Sequence, residues 1–255
     1  MAAVVISRHY GADEERAAVE NAARSAACEA GANVAVVPHL YYIEPGHGAL
    51  ELLRGLEGPL AVGGWLYPRP ARWILDVLGV ANGRKASCVN FADYCCGEKA
   101  AEALLDRLPG HARGDGDGTV NEVTGEVRER WYPVVDRQRC TDCRQCQEFC
   151  LFGVYSAEDD HLAVSEPDNC KPGCPACARV CPEGAIIFPH YEEDPGIAGA
   201  PGAEAGGGDI EAAASLRSRS VDAEPPDEGS SREKCCGDDD GLDGLIEELD
   251  RMDDS

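Results

Sequence analysis

Cys140-Thr141-Asp142-Cys143-Arg144-Gln145-Cys146-Gln147-Glu148-Phe149-Cys150 and Cys170-Lys171-Pro172-Gly173-Cys174-Pro175-Ala176-Cys177-Ala178-Arg179-Val180-Cys181-Pro182 decide how the second half of this chain folds. Their spacings are C-x2-C-x2-C-x3-C and C-x3-C-x2-C-x3-C. Three thiols this close wrap a tight loop around one face of an iron–sulfur cube, and the fourth, a helical turn further on, points away and can reach a second cube. Soft thiolates select iron–sulfur clusters or zinc. Zinc sites typically use two C-x2-C pairs, so two quartets with an internal third member fit two cubanes better than zinc knuckles.

Working outward, Trp131-Tyr132-Pro133-Val134-Val135 and Ala185-Ile186-Ile187-Phe188 bracket the cysteines. The bracketing predicts that the first and last strands of a unit at 128–192 pair with each other. A unit of that size holds little apolar core, and bound metal is the obvious staple. His161, in an acidic turn, and His190, beside the last strand, are read as surface residues, and no side chain near the quartets has the setting of a substrate base or nucleophile.

This segment resembles the bacterial-type ferredoxins that bind two [4Fe-4S] clusters. The resemblance implies a crosswise ligand set: Cys140, Cys143 and Cys146 with Cys181 for one cluster, and Cys170, Cys174 and Cys177 with Cys150 for the other. Two departures are visible. Leu151 stands where that family usually has proline, and Lys171-Pro172-Gly173 makes the second spacer one residue longer. The longer loop changes no ligand but can alter hydrogen bonds to sulfur, and with them a cluster's potential.

Residues 1–108 alternate apolar runs with amphipathic stretches. Val4-Val5-Ile6, Val34-Ala35-Val36-Val37, Leu60-Ala61-Val62 and Ala86-Ser87-Cys88-Val89 read as strands; helices are expected at 14–30, 71–78 and 98–108. Repeated βα units imply a parallel sheet covered by helices. The expected fold class is therefore an α/β N-terminal domain joined to a small α+β ferredoxin-like domain. A Gly/Asp-rich run makes 109–127 a linker.

A parallel sheet invites a nucleotide or flavin reading, but the first turn, Ser7-Arg8-His9-Tyr10-Gly11, has one glycine where a dinucleotide fingerprint needs three, and no P-loop occurs. His9, Tyr41, Tyr42, His47, Trp65 and Tyr67 follow strands where a flavin pocket could open, with packing between strand ends as the plainer reading. Tyr42-Ile43-Glu44-Pro45-Gly46-His47 and Tyr67-Pro68-Arg69 resemble the N-terminal domain of the flavin-bearing subunit of heterodisulfide reductases, which implies an adaptor that docks redox partners. Tyr42 and Leu66 stand where that family tends to carry cysteines. Of the other cysteines, Cys28, Cys88, Cys95 and Cys96 are expected to be structural; Cys235 and Cys236 have no evident role.

The chain has 255 residues, 14 cysteines, and 47 acidic against 23 basic residues, a net charge of −24. That balance argues against nucleic acid as a partner, because phosphates are held by clustered Lys and Arg. No apolar stretch approaches the roughly 20 residues that cross a bilayer, and the N-terminus is too soon charged for a secretory signal. The expected compartment is a reducing cytoplasm, where cysteines serve metal or redox chemistry more often than disulfides. Most of the negative charge lies in residues 193–255, read as a disordered acidic tail, in which Leu242, Leu245, Ile246, Leu249 and Met252 at helical spacing describe a short amphipathic helix at 242–252, either a transient helix that frays in water or a docking peptide for a partner's groove. These features point to an electron-transfer component of an oxidoreductase system, working between donor and acceptor oxidoreductases. The alternatives are a flavin- or nucleotide-dependent reductase and a redox-sensing interaction protein.

Overall fold

A computed structural model describes residues 3–81, 83–108 and 118–203. The apolar runs of the first half form parallel strands: β1 (Ala3–Ser7), β2 (Asn33–Val37), β3 (Leu60–Gly64) and β4 (Ala86–Asn90). Between them lie α1 (Glu14–Glu29), α2 (Gly48–Gly55) and α3 (Pro68–Val77), and α4 (Gly97–Leu105) follows β4. Asp13 caps α1 by accepting the Arg16 N–H at 2.9 Å.

Side chains of a strand alternate between the faces of its sheet, and both faces here are apolar. Ala3, Val5, Ala35, Val37, Leu60 and Val62 pack under α2 and α3. Val4, Ile6, Val34, Val36 and Ala61 pack under α1 and α4. Helix α2 was not anticipated: it is only eight residues long with glycine at both ends, although Ala49, Leu50 and Leu53 bury one face.

The sheet has a fifth strand, β5 (Val120–Glu122), and the order is β4-β3-β1-β2-β5, all parallel. These three residues fall within the stretch 109–127 expected as a linker. All are exposed, so no burial pattern marks them, and only backbone pairing with β2 makes them a strand.

The second half begins with β6 (Val134–Val135), followed by α5 (Gln145–Phe149), β7 (Tyr155–Glu158), β8 (His161–Val164), α6 (Ala176–Val180) and β9 (Ile186–Ile187). As the bracketing predicts, β6 and β9 pair antiparallel. β7 and β8 form a hairpin whose tip residues, Asp159 (φ 47°) and Asp160 (φ 67°), both take left-handed conformations, the geometry a tight two-residue turn demands.

The expected tail begins too early at 193. Residues 195–198 form α7 (Pro195–Ala198), capped by Asp194, and Ile197 is buried among Val135, Ile186 and Phe188. A single isoleucine in a Gly/Pro-rich stretch gave no periodicity to read. The rest of the tail, including 242–252, Cys235 and Cys236, lies outside the described residues, as do 109–117.

The second half packs directly on the sheet. Val134 and Ile187 belong to the same apolar core as α2 and α3. The Arg69 Nε donates to Asp136 at 2.6 Å, with the two side chains only 16% and 5% exposed, and Arg69 Nη2 donates to the Gly184 carbonyl at 2.6 Å. Tyr41 stacks on Tyr132 at 4.3 Å between ring centroids and donates its hydroxyl proton to the Tyr132 carbonyl.

Candidate metal centre

Two short helices repeat one design. In α5 and α6 the third cysteine of each quartet, Cys146 and Cys177, sits inside the helix and is buried. The fourth, Cys150 or Cys181, is the residue at which the helix stops and the backbone swings to an extended conformation (ψ 110° and 114°). That swing turns the fourth cysteine away from its own loop. Its effect is visible at the first quartet, where Cys140, Cys143 and Cys146 line one small pocket together with Cys181. In the second quartet, Cys170 feels the charges of Cys174 and Cys150, and Cys177 those of Cys170, Cys150 and Cys174, while Cys146 of the first quartet feels Cys177 as well as Cys181 and Cys140.

The first loop is held to the β7–β8 hairpin by Asp142, which accepts the Leu162 N–H at 2.9 Å and pairs with His161 Nδ1 at 2.9 Å. The same two partners, backbone first, hold its carboxyl down to about 2. Asp142 and Arg144 both have positive φ, which lets three cysteines fit on one tight loop. Two donors reach sulfur: the Tyr155 hydroxyl to Cys177 at 3.1 Å and the Ala185 N–H to Cys181 at 3.3 Å.

Burial pushes the thiols of Cys146, Cys170 and Cys177 up to about 12. A buried thiolate needs a cation to offset its lost hydration, and a polynuclear iron cluster supplies one while displacing the protons. Among the described residues, no three His, Cys, Asp or Glu side chains form a cage for a single metal ion. A cluster differs from an ion in this respect, because its sulfur ligands stand at the corners of a body several ångströms wide. All twelve described cysteines are free thiols.

The chain matches no family model. Over 59 residues it is 37% identical to the ferredoxin-like protein in the vnf region of Azotobacter vinelandii, a match spanning 22% of this chain and 89% of that protein. Over 75 residues it is 33% identical to the pyruvate synthase subunit PorD of Methanocaldococcus jannaschii, spanning 29% of this chain and 85% of the subunit. The chain belongs to the ferredoxins. An uncharacterized ferredoxin of the same archaeon is 47% identical over 60 residues, 23% of this chain and 41% of that relative, so this ferredoxin spans under half of that relative's length. The family implies iron–sulfur clusters and electron transfer as its chemistry.

The aromatic residues considered for a flavin do other things. Tyr41 and Tyr42 are buried, and the Tyr42 hydroxyl meets His190 Nδ1 at 2.9 Å. His190 is accordingly not a surface residue: it packs edge-on against His39 at 5.0 Å, and burial holds it down to about 4. His47 caps α2 through Nδ1, and Tyr67 precedes α3. Trp65 donates to the buried Glu20 at 2.8 Å beside the junction of β1 and β3, where the chain's crossovers diverge and a nucleotide would be expected. There a side chain at Gly63 would strike Phe91, and a Cβ on Gly64 would stand 2.9 Å from the Ser7 Cβ. Of the six residues, His9 lines a cavity of about 520 Å³ at the ends of β1, β2 and β5.

Sequence reasoning missed Arg69 and Asp136, whose pairing fixes the metal half to the sheet. It also missed Tyr155 as a donor to sulfur. Neither has a local signal, since each acquires its role from a partner 22 or more residues away.

Proposed function

We propose that this ferredoxin relays single electrons through two [4Fe-4S] clusters as a component of a cytoplasmic oxidoreductase complex, with residues 1–108 as a docking platform and 128–192 as the redox unit. The observation that carries this reading is the meeting of Cys140, Cys143 and Cys146 with Cys181 around one pocket, which matches the crosswise ligand set. By the same logic Cys170, Cys174, Cys177 and Cys150 hold the second cluster. Bound there, each cluster supplies a carrier that accepts and releases one electron with little rearrangement.

The surrounding residues set the conditions. Tyr155 and Ala185 place hydrogen-bond donors on ligand sulfurs, which favours the more negatively charged, reduced state. Phe149, Leu151 and Phe152 are exposed on either side of Cys150, and Leu151 is 92% exposed. A cluster of apolar side chains left in water beside a ligand suits a redox partner's contact face. Similarity to a pyruvate synthase subunit supports a multi-subunit oxidoreductase as the setting.

Anaerobic reconstitution of the full chain tests the proposal: binding of about eight iron and eight sulfide, with reducible cluster signals by electron paramagnetic resonance, is the expected outcome. Zinc without sulfide would overturn it. A flavin-dependent reductase predicts instead a non-iron chromophore and turnover of a nicotinamide cofactor by the chain alone.

A further inference from the structure

An apolar recess near the junction of the two halves has none of the quartet cysteines in its walls. It is a cavity of about 440 Å³ walled by Leu50 of α2, Ile74 and Val77 of α3, Val134 of β6 and Val164 of β8. Val77 is 70% exposed, although it continues the buried face of its helix. Three arginines, Arg54, Arg130 and Arg137, stand around the recess against one acid, Glu158. Arg130 is already paired with Asp168, while Arg137 is exposed. The recess therefore asks for an apolar ligand that brings negative charge.

The chain carries such a segment. Leu242, Leu245, Ile246, Leu249 and Met252 recur at i, i+3, i+4, i+7 and i+10, and residues 238–255 hold nine Asp or Glu against one Arg. Its tether is placed to deliver it. The described chain ends at residue 203, just beyond Gly199, where an added Cβ would lie 2.9 Å from Pro70 in the first turn of α3. The recess begins at Ile74 of the same helix, and ten helical residues span only about 15 Å. Thirty-eight residues, 204–241, separate that end from the segment, and a Gly- and Ser-rich linker of that length in general reaches about 30–35 Å root-mean-square, enough to cover the distance and give an effective concentration near millimolar.

We propose that residues 242–252 fold as a helix and dock, apolar face down, in the recess between α2, α3 and the β7–β8 hairpin of their own chain. An isolated helix of this length is marginal in water, so docking is what would order it. The acids around the stripe then face Arg54 and Arg137, and any external ligand of the recess must displace the tail.

Hydrogen–deuterium exchange on the full-length, cluster-loaded protein tests this. Amides 243–252 should exchange at least about tenfold more slowly than an unstructured chain, and to the same extent at low and high protein concentration. Leu245→Asp with Leu249→Asp should abolish that protection. Val77→Glu, at an exposed position that leaves the fold intact, should abolish it from the groove side, and Arg137→Glu should weaken it. Unprotected amides in the unaltered chain would overturn the proposal. So would protection that survives Val77→Glu, or that grows with concentration, which would make the occupant a second copy.

Discussion

The two halves of this ferredoxin are stabilised by different means. The sheet half buries apolar side chains on both faces, and its cysteines are incidental to that: Cys28 and Cys88 sit at the margins of the two core clusters. The metal half has a core of thirteen buried residues, and three of them, Cys146, Cys177 and Cys181, are proposed ligands. In the first half a residue can be changed for packing without touching chemistry. In the second, packing and chemistry use the same atoms, so the fold and the redox centre should be lost together.

The sharpest break in that comparison is Cys177→Ser. Bound iron should fall from about eight to about four per chain, with loss of stability in the metal half alone, as read by iron analysis and by exchange protection of 134–187 against 3–64. Unchanged iron would remove Cys177 from the ligand set. Next in size is the seam. Arg69→Ala takes the buried guanidinium from Asp136, leaving it the Gln138 and Arg139 N–H donors and the more distant Arg139 Nε at 3.8 Å, and denaturant unfolding should show a loss of about 3 kcal/mol; replacing both by apolar residues of similar size should recover much of it.

The third effect comes from the imidazoles where the halves meet. Burial, reinforced by neighbouring histidines, lowers His39 to about 3 and His190 to about 4. Their folded values lie below the ordinary 6.5, so the unfolded chain binds more protons between these limits. Stability is complete above pH 6.5 and declines as pH falls toward 4, by up to roughly 3 kcal/mol for His190 at 1.36 kcal/mol per unit. His190→Gln should flatten this decline in unfolding midpoints measured between pH 7 and 5. The smallest effect is Leu151→Ser, which should change stability by less than about 0.5 kcal/mol despite lying next to Cys150, whereas Leu162→Ala, 1% exposed, should cost about 2–5 kcal/mol. A large cost at Leu151 would make the exposed patch part of the fold rather than a contact face.

Legibility in the sequence followed how local each signal was. β1 to β4 were readable because consecutive apolar residues are what a strand covered on both faces requires. The pairing of β6 with β9 was readable because two apolar runs bracketed the cysteines. β5 and α7 were not: Val120-Asn121-Glu122 is a strand only because the edge of β2 offers it hydrogen bonds, and Pro195–Ala198 is held mainly by burial of Ile197. His190 looked like a surface residue because nothing in its own neighbourhood announces Tyr42 and His39.

The cysteine spacings by themselves determined the candidate chemistry, since ligand chemistry depends on residue type and on loops only a few residues long. They also set the division of labour between the fourth cysteine and its three neighbours, because a helix that stops at that residue must turn it outward. Only the tertiary structure decided which thiols share a pocket, that Arg69 and Asp136 fix the metal half to the sheet, and that an arginine-rimmed apolar recess lies between α2, α3 and a hairpin. Each of these joins residues far apart in the chain, and such contacts are selected by the burial of whole elements against one another, which no local stretch of sequence encodes.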